Sequence, residues 1–319
     1  MKTISIVVPV FNEEEVITES YKRLKNVMDE HNEPYEIIFV NDGCKDKTPV
    51  IIENICKTDK NIRLINFSRN FGHQIAISAG MEKAEGKAIV VIDADLQDPP
   101  EIIPLMVKKW KEGFEVVYGK RSKRKGETIF KKLTAALFYR FIRAMTPFHI
   151  PLDVGDFRLI DRKVCDVMKD IHEKNRFIRG LVSWTGFPQT AVEYVREERF
   201  AGTTKYTLKK MIHFASDAIV SFSYKPLKIA TTLGVLFSLG GFIYLIYVLY
   251  EAIVLKNTIR GWASSISINL IFNGITLIIL GIIGEYIGRI YDESKNRPLY
   301  IIKSLINFQA ESDAKDTKN

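Results

Sequence analysis

Two stretches near the C-terminal end, Ile229 to Tyr250 and Ala263 to Gly284, each run 22 residues without a charged side chain. At 1.5 Å per residue, a helix of that length spans roughly 33 Å, enough to cross a hydrocarbon core of about 30 Å. Both predict transmembrane helices joined as a hairpin, which confines any soluble fold to the residues before them. The alternative, two buried helices of a soluble core, fits poorly, because core helices are seldom so long and so free of charge. The N-terminal segment MKTISIVVPVFNEEE has one Lys and a short apolar run, Ile4 to Phe11, ahead of three glutamates. It predicts no signal peptide, so the soluble part is expected in the cytoplasm. Basic residues point the same way: Lys256 and Arg260 sit between the spans, whereas Arg289, Lys295, Arg297 and Lys303 follow the second and Lys225 and Lys228 precede the first. The expectation is a two-span cell-membrane protein with both termini cytoplasmic.

Ahead of the hairpin, β-rich runs alternate with helix-period segments: Thr3 to Val10, Tyr35 to Val40, Ile62 to Phe67, Ala88 to Ile92 and Phe114 to Tyr118. This alternation predicts an α/β, mostly parallel, doubly wound sheet. Asn12 before the glutamates, and Thr48-Pro49, read as helix starts. With 46% hydrophobic residues the chain is not disordered, and Cys44, Cys56 and Cys165 show no CxxC spacing that would suggest zinc or a disulfide framework. Ligands of such sheets bind beyond the carboxyl ends of the strands. Three strand ends deliver polar groups there: Pro9-Val10-Phe11-Asn12-Glu13, Asn41-Asp42-Gly43 and Asp93-Ala94-Asp95-Leu96-Gln97-Asp98.

In an extended segment residues i and i+2 point the same way, so Asp93 and Asp95 can face one ligand. Two carboxylates so close repel unless a cation lies between them, and hard oxygen ligands suit Mg²⁺ or Mn²⁺ carrying a diphosphate, with Gln97 as a further oxygen. Asp42 reads either as an Asx-turn that closes its loop or as a carboxylate recognising a base or ribose. No GxGxxG follows the first strand and no GxxxxGK[ST] occurs, so a nucleotide diphosphate held through a metal remains.

The ordered set Val8-Pro9-Val10-Phe11-Asn12-Glu13, Val40-Asn41-Asp42-Gly43, Asp93 to Glu101 and Gly155-Asp156-Phe157-Arg158-Leu159 resembles family 2 glycosyltransferases of GT-A fold. More narrowly it resembles polyprenyl-phosphate glycosyltransferases such as bactoprenol glucosyltransferases and dolichol-phosphate mannose synthases, and the two spans with Gly284 to Tyr291 extend the likeness over nearly the whole chain. The resemblance implies that Pro9, Phe11, Glu13, Val40, Asp42 and Ala94 line the nucleotide-sugar pocket and that Asp93, Asp95 and Gln97 hold the metal and diphosphate. It implies further that Arg121 faces phosphate, that Arg199 and Lys205 lie on a loop closing over the donor, and that Asp95 and Asp156 are catalytic. Asn41 departs from the family's common DDG, leaving base selectivity open. Asp156 is an acceptor-orienting group, a base, or an Asp paired with Arg158 or another Arg. A phosphate acceptor carries a charge of about −1.5 to −2 at neutral pH and is already a nucleophile.

The implied function is inverting, metal-dependent transfer from a UDP-sugar, glucose or N-acetylglucosamine first, to undecaprenyl phosphate at the cytoplasmic face. The lipid-linked product would serve cell-envelope glycan modification, with a flippase as implied partner. The expected order is a GT-A domain over 1–200, a donor-closing loop and interfacial helix over 201–228, the hairpin over 229–290 and a cytoplasmic tail over 291–319. Residues 119–143 carry nine basic side chains and one acid, a local +8 that equals the net charge of the whole chain. With the amphipathic segments 129–145 and 208–222, that patch predicts contact with anionic membrane lipid. No motif supports nucleic-acid binding. Glycines 234, 240, 241, 274, 281 and 284 offer small-residue contacts for a homo-oligomer. Two alternatives remain: a processive polysaccharide synthase, which usually carries more spans and a QxxRW-like segment, and a membrane-tethered basic binding protein.

Overall fold

The computed structural model describes residues 3–122, 154–196, 225–254 and 261–308. Four strands, β1 (Ile4–Val10), β2 (Tyr35–Asn41), β3 (Ile62–Phe67) and β4 (Ala88–Val91), are buried along their whole length. Their Ile, Val and Phe runs suit strands covered on both faces, and their ends fall within a residue of those expected. Helix α1 (Ile17–His31) buries Ile17, Ser20, Leu24, Val27 and Met28, one face at helical spacing. Helix α2 (Thr48–Thr58) has Pro49 in its first turn, but the Thr48 hydroxyl accepts from Glu13 N (2.9 Å) rather than capping the helix. Asp46 Oδ1 accepts from Thr48 N instead, at 3.1 Å. Asn12 likewise opens no helix: it sits at φ 56°, and its Oδ1 accepts from Lys45 N, tying the loop after β1 to the loop after β2. Helix α3 (His73–Lys83) lies against β1 and β2 and is buried from Ile75 to Met81. A Cβ on Gly80 would come within 2.3 Å of Val7 Cγ1, so only glycine lets this helix approach the sheet.

After α4 (Ile103–Lys111) come β5 (Val116–Arg121), β6 (Val154–Asp161), α5 (Arg162–Lys169), α6 (Ile178–Trp184) and β7 (Gln189–Tyr194). The sheet order is β7-β5-β6-β4-β1-β2-β3-β8, with β8 at Ile302–Ile306. Strands β4, β1, β2 and β3 form the parallel centre, as the alternation predicts. Strand β6 enters between β4 and β5, antiparallel to both, which reading the β/α alternation of residues 1–120 could not anticipate. Its register, Val91 with Arg158, brings the start of β6 to the carboxyl end of β4, so continuing the ladder sets Asp156 opposite Asp93. Strand β8 pairs antiparallel with β3. Part of the segment expected to be a tail is therefore a strand of the catalytic sheet.

The second compact unit holds α7 (Lys225–Ile253, 29 residues) and α8 (Trp262–Ser294, 33 residues). Both contain the charge-free stretches and extend beyond them; Lys225–Tyr244 and Ile271–Ser294 are long and apolar enough to cross a membrane. Ile243, Ile271, Leu277 and Ile278 are among the large apolar side chains these helices expose. Such a surface needs lipid or another helix to cover it. Arg289 donates to Glu285 Oε1 at 3.4 Å, an i,i+4 pair near the end of α8. The amphipathic segments 129–145 and 208–222, Arg199, Lys205, Lys256 and Arg260 lie outside the described residues.

Candidate functional site

The rim where β1, β2 and β4 end and β6 begins gathers the expected side chains unequally. From Asp93 to Asp98 burial alternates: Ala94, Leu96 and Asp98 are buried, whereas Asp93, Asp95 and Gln97 are partly exposed. Asp95 Oδ1 accepts from Gln97 N (3.1 Å), closing a short turn through Leu96 at φ 58°. The buried Oδ1 of Asp93 has no hydrogen-bond partner among the described residues, and His73 Nε2 stands 3.4 Å from it. Burial, reinforced by Asp156, Asp98 and Asp95, outweighs the attraction of His73 and raises Asp93 to about 6.

Asp156 is 5% exposed and enclosed by donors. Arg179 grips it with Nε on Oδ1 (2.8 Å) and Nη2 on Oδ2 (3.1 Å), and Gln74 Nε2 donates to Oδ2 at 3.1 Å. His73 Nε2 lies 3.4 Å from the same Oδ2. Burial opposes its ionisation, but Arg179 and His73 prevail and hold the carboxyl well below the usual carboxylate range. Of the three readings of Asp156, the structure thus shows an ion pair, with Arg179 as partner. Arg158 turns its Nη2 to Gly155 O at 2.9 Å, and burial lowers its guanidinium to about 10. His73 itself is pulled down by burial, yet Asp93 and Asp156 raise it to about 9, so the imidazole is cationic at neutral pH.

Asp42 is enclosed differently. Its Oδ1 accepts from Phe71 N (2.6 Å) and its Oδ2 from Gly72 N (3.0 Å), so the carboxylate clamps the loop between β3 and α3. Burial raises its pKa against those bonds. Gly43, at φ 73°, lets Arg69 and Asn70 cross directly above; a Cβ there would meet Asn70 N at 2.5 Å. Neither half of the Asn41 amide points outward, since Oδ1 accepts from Cys44 N and Nδ2 donates to Asn66 Oδ1, both at 2.8 Å. Asn41 therefore shapes the turn, and the question its departure from DDG raises about base selectivity passes to other groups. Pro9 and Val40 are register partners, both buried within the sheet, whereas Phe11 is 38% exposed at its edge. Glu13 is partly exposed beside the Thr48 hydroxyl.

Gln97 Oε1 accepts from Arg196 Nη2 at 2.7 Å. Arg121 directs its Nη2 toward buried Asp98 (3.6 Å) and its Nε to Tyr194 Oη (3.4 Å), and Tyr194 Oη donates to Asp98. Gln97 and Arg121, two of the residues expected at the diphosphate, thus already have partners within the protein.

Sequence reasoning missed His73, Gln74 and Arg179. The first two follow the third strand, whose end was not read as the other three were. Arg179 has no local signal, because it reaches Asp156 only through the packing of α6. No group of three or more His, Cys, Asp or Glu among the described residues is arranged as a complete metal site. Asp93 and Asp95 still fit a divalent cation as partial ligands: one buried oxygen lacks a hydrogen-bond partner among the described residues, carboxylates crowd it, and hard oxygens leave further positions for phosphate and water.

Residues 5–168 match the model of Glycosyl transferase family 2, and residues 225–290 match that of the GtrB C-terminal hairpin. The chain is 63% identical over 299 residues, 94% of its length and 93% of the relative's, to the uncharacterized glycosyltransferase YkcC of Bacillus subtilis. It is 42% identical over 301 residues, covering 94% and 98% of the two chains, to the bactoprenol glucosyl transferase of Shigella phage SfV. Among solved structures, glucosyl-3-phosphoglycerate synthase from Mycobacterium tuberculosis with Mn²⁺ and UDP aligns over 69% of this chain and 78% of its own, at 20% identity and a TM-score of 0.45.

Proposed function

The chain belongs to Glycosyl transferase family 2 and is a glycosyltransferase, and from that premise we propose that it transfers a sugar from a UDP-sugar to a polyprenyl phosphate, with inversion and with a divalent cation. The observation that carries the donor side is Asp93: a rim carboxylate at the end of a buried strand, crowded by negative charge, whose buried Oδ1 has no hydrogen-bond partner among the described residues. Asp93 and Asp95 would hold Mg²⁺ or Mn²⁺, which when bound neutralises the departing diphosphate. The acceptor side rests on the likeness to bactoprenol glucosyl transferases and on the hairpin, because an isoprenoid tail stays in the bilayer.

The chain's own residues then divide the work. His73 stands between Asp93 and Asp156, within 3.4 Å of both carboxylates that flank the reaction. Arg179 and Gln74 fix Asp156, and a carboxylate held that far below neutrality is a weak base. It serves to orient, which suffices for a phosphate that is already anionic and needs no deprotonation. Arg121, Arg199 and Lys205 are proposed to meet phosphate as the donor closes in. Anionic lipid is the proposed contact of the basic patch. The hairpin glycines, around which no neighbouring atom of the described residues lies within 4 Å of an added Cβ, leave room for helices of further copies. A strand on each side of the hairpin belongs to one sheet, which supports both ends of the hairpin lying on the same side of the membrane. The family assignment removes support for a binding protein without activity.

The test is purified full-length protein with Mg²⁺ or Mn²⁺, undecaprenyl phosphate and a panel of nucleotide sugars, read by mass spectrometry of the lipid and by NMR of the new anomeric centre. A lipid-linked sugar of inverted configuration is expected. No lipid product with any donor, or full activity with chelator present, would overturn the transfer and the metal assignment respectively.

A further inference from the structure

The transferase reading gives no task to the chain beyond α8, yet residues 300–307 are bonded to the turns that build the donor side. Ser304 Oγ accepts from Asn66 Nδ2 (3.0 Å), Asn66 Oδ1 accepts from Asn41 Nδ2 (2.8 Å), and Asn41 Oδ1 accepts from Cys44 N (2.8 Å). Residues 304, 66 and 41 are register partners, so this file of side-chain hydrogen bonds crosses β8, β3 and β2. It ends two residues past Asp42.

A second route reaches the same turn. Ile301 O accepts from Ser68 N (3.0 Å), and the Tyr300 ring stacks on Phe67 with centroids 5.1 Å apart. Phe67 meets Phe71 edge-on at 5.6 Å, and the amide of Phe71 holds Asp42 Oδ1. Tyr300 Oη also donates to Glu82 Oε2 (2.6 Å) on α3, the helix that begins with His73. Beyond the strand, Asn307 Nδ2 donates to Cys56 O and Ile62 O at 2.7 and 2.8 Å, which pins β8 to the edge.

We infer that Tyr300 and Ser304 are positioning residues for the donor pocket. The segment that returns from the membrane hairpin holds the Asn41–Cys44 turn and the Ser68–Gly72 loop in the shape that receives the nucleotide. A loop bearing three exposed residues in a row, Ser68 to Asn70, gains little order from its own burial, so contacts from β8 supply it. Pre-ordering a binding loop lowers what must be ordered when ligand arrives, so it acts on affinity more than on the chemical step. The inference rests on the nucleotide-sugar reading above.

The test uses the full chain in detergent, with wild type, the double variant Tyr300→Ala/Ser304→Ala and the conservative Tyr300→Phe. The double variant is expected to raise the donor KM about tenfold while kcat stays within about twofold. The acceptor KM should not move, and amide hydrogen exchange across residues 66–72 should accelerate. Tyr300→Phe keeps the ring and should retain the wild-type donor KM. An unchanged donor KM in the double variant, or unchanged exchange across the loop, overturns the inference. So does a parallel loss in kcat and in both KM values with a lowered Tm, which is general destabilisation. A wild-type protein that neither binds UDP nor transfers sugar overturns the nucleotide-sugar reading instead, and loop exchange in the double variant then still decides whether β8 holds the loop.

Discussion

The two ends of the central strands bury charge in opposite ways. Where β1, β2 and β3 begin, Glu36 is fully buried and its charge is met by a guanidinium. Its Oε1 accepts from Ser5 Oγ (2.5 Å) and Glu85 N (2.7 Å), and its Oε2 pairs with Arg63 Nη1 at 2.7 Å. Arg63 also pairs with Glu85. At the opposite rim, where β4 ends and β6 begins, Asp93, Asp95, Asp98 and Asp156 crowd together, and among the described residues Asp93 Oδ1 has the imidazole of His73 as its ion-pair contact, at 3.4 Å. A buried ion balanced within the chain is part of the scaffold. One left short of countercharge marks where a ligand brings the balance.

Substitutions can separate the two ends. The largest effect is expected of Asp95→Ala: turnover falls about a thousandfold, the size of effect seen when an electrostatic stabiliser of a transition state is removed. Thermal melting should move little, because Asp95 is partly exposed on a turn after β4. Glu36→Gln should do the reverse. Arg63 keeps Glu85 but loses the buried one of its two carboxylates, which costs about 2 kcal/mol of stability, seen in denaturant melts, while the folded protein keeps its turnover.

Arg179→Gln tests the site itself. Losing the guanidinium raises the Asp156 pKa from its depressed position, so turnover falls by roughly thirtyfold and the acid limb of the pH profile moves to higher pH. The sign follows from linkage. A depressed carboxylate stabilises the fold above its unfolded pKa and loses that contribution as pH falls through its folded value, so the wild type keeps it to lower pH than the variant. The smallest effect is expected of Asp42→Asn. Weaker hydrogen bonds to Phe71 and Gly72 loosen the loop and raise the donor KM by about tenfold. A loss of turnover at saturating donor would instead make Asp42 part of the chemistry.

Much of this was legible in the chain. Strand ends β1 to β4 follow from apolar runs and turn residues, and the rim from the rule that parallel sheets bind ligands at their carboxyl ends. Asp93 and Asp95 stood out because a strand end delivers alternate side chains to one face. His73 could have been found by extending the same inspection to the end of β3. Arg179 and Tyr194 could not, because their partners Asp156 and Asp98 are distant in sequence and meet them only through the packing of α6 and β7.

Local periodicity, charge-free length and strand-end carboxylates are properties of neighbouring residues, and the sequence by itself determined the α/β sheet, the apolar helical hairpin and the aspartates at the rim. Which of those groups are already partnered is a property of residues far apart. Only the tertiary structure decided that Asp42 clamps a loop, that Asp156 belongs to Arg179, and that the strand after the hairpin completes the sheet, because each depends on long-range register and packing that no local pattern encodes.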